Sequence, residues 1–284
     1  MATPLVNFFG YTNPGESVEW YKQQVTSLAD AIAQKHAVDS DSRASGLIVN
    51  TGAWSDQAGG SMGTELLHHA IEAFEIDIVL VIGHDRLYAS LQDWSNTRHA
   101  AVREKDADNW RQQARKNLIV AKLPRSGGVV ARTEVSRRRA RRARVHEYFY
   151  GKKRIVAGEE QPPRFRPHRL ELSLSSCTFL SNGGVRLSES MRPLGQETSG
   201  TQGGGTSGGL QPVPPSSDLE HAVLAVLQAP DDGSSDGQRV PSNIAGFVYV
   251  VKLELDLNTV TVLSPCPGKL PSLDFVVGSI KWVE

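Results

Sequence analysis

Residues 118–151 read LIVAKLPRSGGVVARTEVSRRRARRARVHEYFYG, and they say more about the architecture of the chain than any other segment. An apolar strand at 118–123 leads through a Ser-Gly-Gly turn into a helix-prone segment with seven arginines between Arg132 and Arg144. The guanidinium group is a planar fork that binds phosphate oxygens two at a time and stays charged at physiological pH. The pattern therefore predicts a strand, a turn and a basic helix suited to phosphate.

Positive charge is concentrated around this helix. The whole chain has 31 Lys and Arg and 31 Asp and Glu, so its formal net charge is zero. Residues 98–169 nevertheless hold 21 Lys and Arg against 7 Asp and Glu, an excess of 14 positive charges that the rest of the chain balances. Such asymmetry indicates a surface that holds a polyanion. A solvated charged helix and a nuclear-import signal are the alternatives.

Length and composition exclude several classes of protein. The 284 residues are enough for one large domain or two smaller ones. The only two cysteines, Cys177 and Cys266, form no CxxC pair, which argues against a disulfide framework and against a structural metal site. The longest apolar run, at 76–82, is too short to cross a bilayer and contains Asp77. We expect neither a metal site nor a membrane segment.

The first half of the chain alternates helix and strand patterns. Apolar residues recur every three or four positions over 16–36 and 61–74, which predicts two helices. The predicted buried strands are continuous apolar runs at 46–50, 76–82 and 118–123. Buried strands separated by helices indicate a parallel sheet that is covered on both faces. We expect residues 1–155 to form an α/β domain that ends in the basic helix, at about 130–150.

The pattern changes after the basic helix. Residues 170–180 alternate apolar and polar side chains as a half-exposed strand does, and 245–264 have the pattern of a β-hairpin. The stretch at about 195–217 is rich in Gly, Thr and Pro and predicts a flexible loop. Residues 218–228 are predicted to form a short helix. We expect residues 156–284 to form a smaller mixed α+β domain.

Candidate ligand contacts follow the predicted strands, because parallel sheets bind ligands beyond the carboxyl ends of their strands. Trp54 lies in a Gly-rich loop after the 46–50 strand, where its ring is suited to stacking on a base. A ring folded onto the domain surface is the alternative. His84 and Asp85 follow the next strand and are candidates for substrate binding. The alternative is that they cap the following helix, with Asp85 accepting backbone N–H bonds.

The basic helix has the properties of a mobile lid over a phosphoryl group. Its arginines point around the whole circumference, and only Glu134 stands four residues from one of them, Arg138. Like charges repel one another along such a helix, so phosphates would neutralise and order it. Arg132 and Arg137 follow the Gly-Gly pair and are best placed to reach back over the sheet.

The phosphate-binding loop of P-loop enzymes does not occur in this sequence. The only Gly-Lys pairs, Gly151-Lys152 and Gly268-Lys269, do not fit the G-x-x-x-x-G-K-[ST] pattern. That loop cradles the β- and γ-phosphates, and its hydroxyl group binds Mg²⁺. No Ser-His-Asp or Cys-His constellation stands out either. We therefore expect no catalysis by this chain alone.

Several motifs, taken in order, resemble one family. They are PLVNFFG and TNPG (4–15), GLIVNTGAW (46–54), FEIDIVLVIGHDRLY (74–88), LPRSGGVVAR (123–132), EYFYG (147–151), IAGFVYVV (244–251) and TVLSPCPGKLP (261–271). Over nearly its whole length the chain resembles the eukaryotic polynucleotide 5′-hydroxyl kinase-like subunit of the pre-mRNA cleavage and polyadenylation factor. The resemblance implies a partial P-loop NTPase-like parallel sheet with flanking helices, followed by a smaller mixed-β domain.

The resemblance also implies roles for particular residues. Trp54 matches the ring that stacks on the terminal base of the RNA, and Arg132 and Arg137 match two lid arginines that clamp the transferring phosphate. Family members carry an N-terminal β domain and a P-loop segment that binds ATP and Mg²⁺, and both would precede residue 1. We therefore expect this chain to correspond to the C-terminal two-thirds of such a protein and to bind neither cofactor tightly.

Three functional hypotheses follow. The first is a nuclear subunit of the mRNA 3′-end processing machinery that acts through RNA and through scaffold and other subunits, without DNA-specific reading and with little or no catalysis. The second is an ATP-dependent RNA 5′-hydroxyl kinase, which would be inactive without the upstream segment. The third is an unstable fragment, because the missing first strands of the sheet would leave an open apolar edge.

Overall fold

The computed structural model describes residues 4–52, 60–105, 118–152, 154–156, 159–161, 166–182, 210–228 and 243–282. Its contacts divide the chain into two units. The first unit is Val25–Arg132, and the second joins Met1–Gln24 to Thr133–Glu284. This division differs from the domains predicted at 1–155 and 156–284, because the N-terminal segment and the basic helix belong with the C-terminal sheet.

The first unit contains a two-stranded parallel sheet. Strand β1 (Ile78–Ile82) pairs with β2 (Ile119–Leu123), in a register that places Ile78 opposite Ile119. The helices are α1 (Val18–Val38), which contributes residues to both units, α2 (Ser40–Ser45), α3 (Gly60–Ala73) and α4 (Asp85–Lys105). The parallel pairing of the two apolar runs is confirmed, and so are the helices predicted at 16–36 and 61–74.

This sheet is covered on one face only within the described residues. Val81 on β1 is buried together with Ile71 of α3 and Leu91 of α4. Side chains alternate between the two faces of a strand, so Ile78, Leu80 and Ile82 lie on the opposite face. They are 54%, 57% and 63% exposed. The expectation of a sheet covered on both faces is therefore not met in this part of the chain.

The strand predicted at 46–50 does not form. These residues have no regular secondary structure, and Ile48 is 97% exposed. A strand is stabilised by hydrogen bonds to a neighbour, and none of the described strands pairs with this segment. An apolar run alone is therefore not enough to hold the backbone in a sheet.

The second unit is built on a seven-stranded mixed sheet with the order β5-β10-β9-β8-β11-β6-β7. Its strands are β5 (His168–Ser173), β6 (Thr178–Ser181), β7 (Gln211–Val213), β8 (Val223–Leu227), β9 (Ile244–Glu254), β10 (Thr259–Ser264) and β11 (Asp274–Val276). A separate antiparallel pair is formed by β3 (Arg154–Val156) and β4 (Glu159–Gln161). Before these strands comes the basic helix, α5 (Glu134–Tyr150), as the sequence predicted.

The helix predicted at 218–228 is wrong. A single 3-10 turn, Ser217–Leu219, is followed by strand β8, all five residues of which are buried between β9 and β11. A short run that is apolar on every side has no periodicity to distinguish helix from strand. Pairing on both edges of β8 and the strand preference of its two valines favour the sheet.

Two other predictions for this region have mixed outcomes. The hairpin predicted at 245–264 is confirmed by the antiparallel pairing of β9 with β10. The strand predicted at 170–180 is divided between β5 and β6 by a 3-10 turn. Of the loop predicted at 195–217, residues up to 209 lie outside the described part of the chain. The remainder contains the short edge strand β7.

The N-terminal segment is held by the C-terminal sheet. The Val6 N–H donates to Asn243 Oδ1 at 2.7 Å, and the Ile244 N–H donates to the Val6 carbonyl at 3.0 Å. Farther along, a Cβ atom on Gly278 would lie only 1.9 Å from the carbonyl oxygen of Gly10. These contacts explain why the first residues of the chain belong to the second unit.

Candidate nucleic-acid interface

The C-terminal turn of α5 is an aromatic anchor on the seven-stranded sheet. Phe149 is 1% exposed and stacks on Trp282, with 5.5 Å between the ring centroids. The Tyr148 hydroxyl accepts a hydrogen bond from the Phe247 N–H at 2.9 Å. A Cβ atom on Gly246 would lie 3.1 Å from that hydroxyl oxygen, so the absence of a side chain there allows the close approach. The last turn of α5 is therefore fixed to β9.

The rest of α5 is solvated. Every residue from Glu134 to Arg144 is exposed, and Val145 is the first that is partly buried. Even Val135 is 77% exposed, so no apolar face of this segment is covered. About three turns of helix thus extend from the aromatic anchor into solvent.

This exposed segment is strongly positive. The six arginines of α5 face only two glutamates on the same helix, Glu134 and Glu147. Arg138 Nη2 pairs with Glu134 Oε1 at 3.1 Å, and since both side chains are about three-quarters exposed, the pair adds little stability. The Thr133 hydroxyl caps the helix by accepting a hydrogen bond from the Ser136 N–H at 3.2 Å. The arrangement provides a capped helix that presents arginine forks to a polyanion.

The two predicted lid arginines lie on either side of the start of α5. Arg132 precedes the capping Thr133 and is the last residue of the first unit, whereas Arg137 belongs to the helix and to the second unit. Both side chains are exposed. The phosphate-clamp role of this pair stays a prediction. Trp54 lies outside the described residues, so its stacking role stays a prediction as well.

His84 and Asp85, the two candidate residues after β1, make different contacts. His84 Nδ1 accepts a hydrogen bond from the Leu87 N–H at 3.0 Å and so caps α4. Asp85 Oδ1 instead pairs with Lys122 Nζ of β2 at 2.8 Å. Asp85 also lies in the first turn of α4, where the helix dipole favours an acid. The helix-capping alternative is thus observed for His84 and not for Asp85. The substrate-binding role of the two residues stays a prediction.

One residue at this sheet edge was missed by sequence reasoning. Arg125 follows β2, and a Cβ atom on Gly83 would lie 3.4 Å from its Cβ atom. The Gly83 N–H donates to the Leu123 carbonyl at 3.2 Å, so both segments leave the sheet side by side. The position of Arg125 directly after a parallel strand was the signal that could have identified it.

These residues alone do not fit an ATP and magnesium site. Among the described residues, no group of three or more His, Cys, Asp or Glu side chains is placed to hold a metal ion. The sequence also lacks the loop that cradles the phosphates of ATP. Within the same described ranges, no helix is long and apolar enough to span a membrane.

Two family models match the chain. Residues 1–107 and 98–151 match the model described as the mRNA cleavage and polyadenylation factor CLP1 P-loop. Residues 165–284 match the model described as the pre-mRNA cleavage complex II protein Clp1.

Curated relatives match almost the whole chain. The protein CLP1 homolog of Arabidopsis thaliana is 34% identical over 284 residues, which is 99% of this chain and 55% of the relative. The polyribonucleotide 5′-hydroxyl-kinase Clp1 of Danio rerio is 32% identical, over 99% of this chain and 56% of the relative. Its human counterpart is 31% identical, over 99% and 57%. The chain thus spans about half the length of the curated relatives it matches.

A solved structure has the same fold. A complex of Clp1p with a segment of Pcf11p matches with a TM-score of 0.64 and 22% identity, over 99% of this chain and 56% of that one. The likeness agrees with the predicted α/β class, a partial P-loop-type sheet followed by a mixed sheet. Matches to both family models, in the order of the motifs and over most of the chain, lead to one conclusion: the chain belongs to the Clp1 family of pre-mRNA cleavage and polyadenylation proteins.

Proposed function

We propose that this chain acts as a subunit of the nuclear mRNA 3′-end cleavage and polyadenylation machinery, where it binds RNA and partner subunits. Family membership supports the place in the machinery. The observation that carries the RNA contact is the solvated segment from Glu134 to Arg144, which presents the six arginines of α5. Such a segment fits a phosphate backbone because guanidinium forks bind phosphate oxygens in pairs.

The predicted site residues have defined tasks in this proposal. Arg132 and Arg137 hold the sugar-phosphate backbone at the 5′ end of the RNA, and Trp54 stacks on the terminal base. Stacking on an indole ring tolerates any base, so the contact selects a strand end rather than a sequence. The phosphate contacts are electrostatic, so salt will weaken them.

Affinity purification tests the place in the machinery. The tagged 284-residue chain is captured from a nuclear extract of its own source, and the bound proteins are identified by mass spectrometry. We expect subunits of the cleavage and polyadenylation factor, including the counterpart of Pcf11, which a solved relative binds. Capture without any of these subunits would contradict the proposal.

A polynucleotide 5′-hydroxyl kinase is the second candidate. The Danio rerio and human relatives are named as such kinases, and the P-loop model matches residues 1–151. ATP supplies the transferred phosphoryl group in that reaction, and Mg²⁺ neutralises its charge. This chain contributes only the arginine lid and the stacking ring, so we expect no transfer from labelled ATP to 5′-hydroxyl RNA by the chain alone. Robust transfer would show that these residues suffice for catalysis.

A further inference from the structure

We propose that Arg141 and Arg144 extend the RNA contact of Arg137 along one face of α5. At 3.6 residues per turn these three arginines lie within about 60° of one another around the helix axis. We call them the arginine stripe. Arg139 lies on the opposite side of the helix by the same geometry. The inference rests on the proposed function, since it assigns further residues to the same ligand.

The arginine stripe is available for binding. All three side chains are exposed. Within the described part of the chain none of them forms an ion pair, whereas Arg138 is held by Glu134 at 3.1 Å. The aromatic anchor fixes only the last turn of α5, and none of the described residues of the second unit covers the stripe.

The spacing of the stripe fits an extended strand. A rise of 1.5 Å per residue separates Arg137 from Arg141 by about 6 Å and Arg141 from Arg144 by about 4.5 Å along the axis. Each long side chain can adjust its reach by several rotatable bonds, so the three guanidinium groups can contact separate phosphates of one strand. The helix thereby binds more of the RNA than its 5′-terminal nucleotide.

An aromatic ring at the end of the stripe favours RNA over an acidic protein. Tyr148 lies one turn beyond Arg144, on the same face by helical geometry, and is 41% exposed. Its hydroxyl is held by the Phe247 N–H, so the ring is already positioned. Exposed aromatic rings beside basic residues bind bases by stacking, and the carboxylate side chains of an acidic peptide have no base to stack.

The test is a salt titration of RNA binding. Fluorescence anisotropy measures the affinity of the 284-residue chain for an oligouridylate with a 5′-hydroxyl end, between about 50 and 200 mM salt. In the double variant R141Q/R144Q we expect affinity to fall about tenfold, since charge-assisted bonds are lost. The slope of log K against log salt should become shallower by about 1.4, at about 0.7 per phosphate of a single strand. Glutamine and arginine have similar helix propensities, so α5 should persist.

Two matched variants complete the test. R139Q/R142Q removes two positive charges from the side of α5 that faces away from the stripe, and we expect a much smaller change in affinity and slope than in R141Q/R144Q. R141K/R144K restores the charge without the planar fork and should recover most of the slope. Circular dichroism confirms that each variant is as helical as the parent.

Several results would contradict the proposed role of the arginine stripe in RNA binding. One is a loss of affinity in R139Q/R142Q equal to that in R141Q/R144Q, and another is an unchanged slope in R141Q/R144Q. The others are absence of RNA binding by the parent and competition by poly-glutamate that is as strong as competition by unlabelled RNA. Failure of the proposed function is distinguishable, since it is read from the absence of cleavage-factor subunits in the affinity purification. A stripe that binds RNA without those subunits would contradict only that function.

Discussion

The imidazole of His68 on α3 stacks on the indole of Trp94 on α4, with 4.0 Å between ring centroids and 8° between ring planes. His68 Nε2 is buried and has no hydrogen-bond partner among the residues that the structure describes. Burial lowers the pKa of His68 below its usual value, and the negative charge of Glu72 opposes that shift in part. The helices α3 and α4, which cover the parallel sheet, therefore contact each other through the imidazole of His68, and burial favours the neutral form of that imidazole.

This pair predicts acid sensitivity of the first unit. Since the pKa of His68 is lower in the folded chain than in the unfolded chain, the unfolded state binds the proton first as the pH falls. Stability is full above about pH 6.5 and decreases below it, by less than about 1.4 kcal/mol per pH unit for this partly buried ring. Denaturant unfolding over a pH series measures the slope. The variant His68→Phe keeps the stack but cannot ionise, so it should be less sensitive to acid. Equal slopes for both proteins would contradict this account.

The aromatic anchor of α5 predicts a large loss of stability in Phe149→Ala. The ring is 1% exposed and packs on Trp282 and Tyr249. Truncating a buried phenylalanine costs about 3–5 kcal/mol through lost burial and the cavity it leaves. Chemical denaturation measures the change, with Val135→Ala as the control, because Val135 is 77% exposed on the same helix. A cost below about 1 kcal/mol in Phe149→Ala would show that the anchor does not hold the helix.

The backbones of Gly10 and Gly278 lie in close contact. We therefore expect Gly278→Ala to release the N-terminal segment from the rest of the second unit. The new Cβ atom would lie 1.9 Å from the carbonyl oxygen of Gly10, and the two segments must separate because the obstacle is backbone. We expect a loss of at least about 2 kcal/mol, as for other overpacked sites. Limited proteolysis should cleave near the N-terminus at a higher rate. Gly127→Ala is the control, since no atom lies within 4 Å of its new Cβ atom. Unchanged proteolysis of Gly278→Ala would argue against this contact.

Charge reversal of the predicted lid arginines tests the clamp. In R132E/R137E we expect the affinity for 5′-hydroxyl RNA to fall by more than about tenfold, since two attractive contacts become repulsive. Filter binding at constant salt measures the effect. R43E makes the same change in charge at an exposed position of α2, outside the basic helix, and should bind RNA like the parent. Retention of RNA by the double variant would remove the clamp from the proposed function.

The local sequence pattern correctly predicted α5, β1 and β2. The arginine-rich run became α5 because a threonine cap and a glycine stop define its ends, whatever packs around it. Two apolar runs became β1 and β2 because they pair with one another. These features depend on neighbours in sequence or on a partner within the same unit.

The wrong predictions concern segments whose structure depends on neighbours far away in the sequence. A local sequence pattern does not show those neighbours. The run at 46–50 has no described strand beside it, whereas β8 is a strand because β9 and β11 flank it. The N-terminal segment belongs to the second unit, where Gly10 contacts Gly278. No local sequence pattern indicates this contact. At the site, the capping role was predicted for Asp85 and belongs to His84, because Lys122 of the adjacent strand attracts the carboxylate.

The dependence of α5 on Trp282 links two distant parts of the coding sequence. A stop codon just before Trp282 would leave every arginine of the helix in place and remove the indole beneath Phe149. The shortened product would keep its positive charge but lose the surface that orients the helix. The RNA contacts proposed here would then be those of an unanchored cationic helix. Truncations that remove Trp282 therefore alter the basic helix, although 131 residues lie between Trp282 and the last residue of α5, Tyr150.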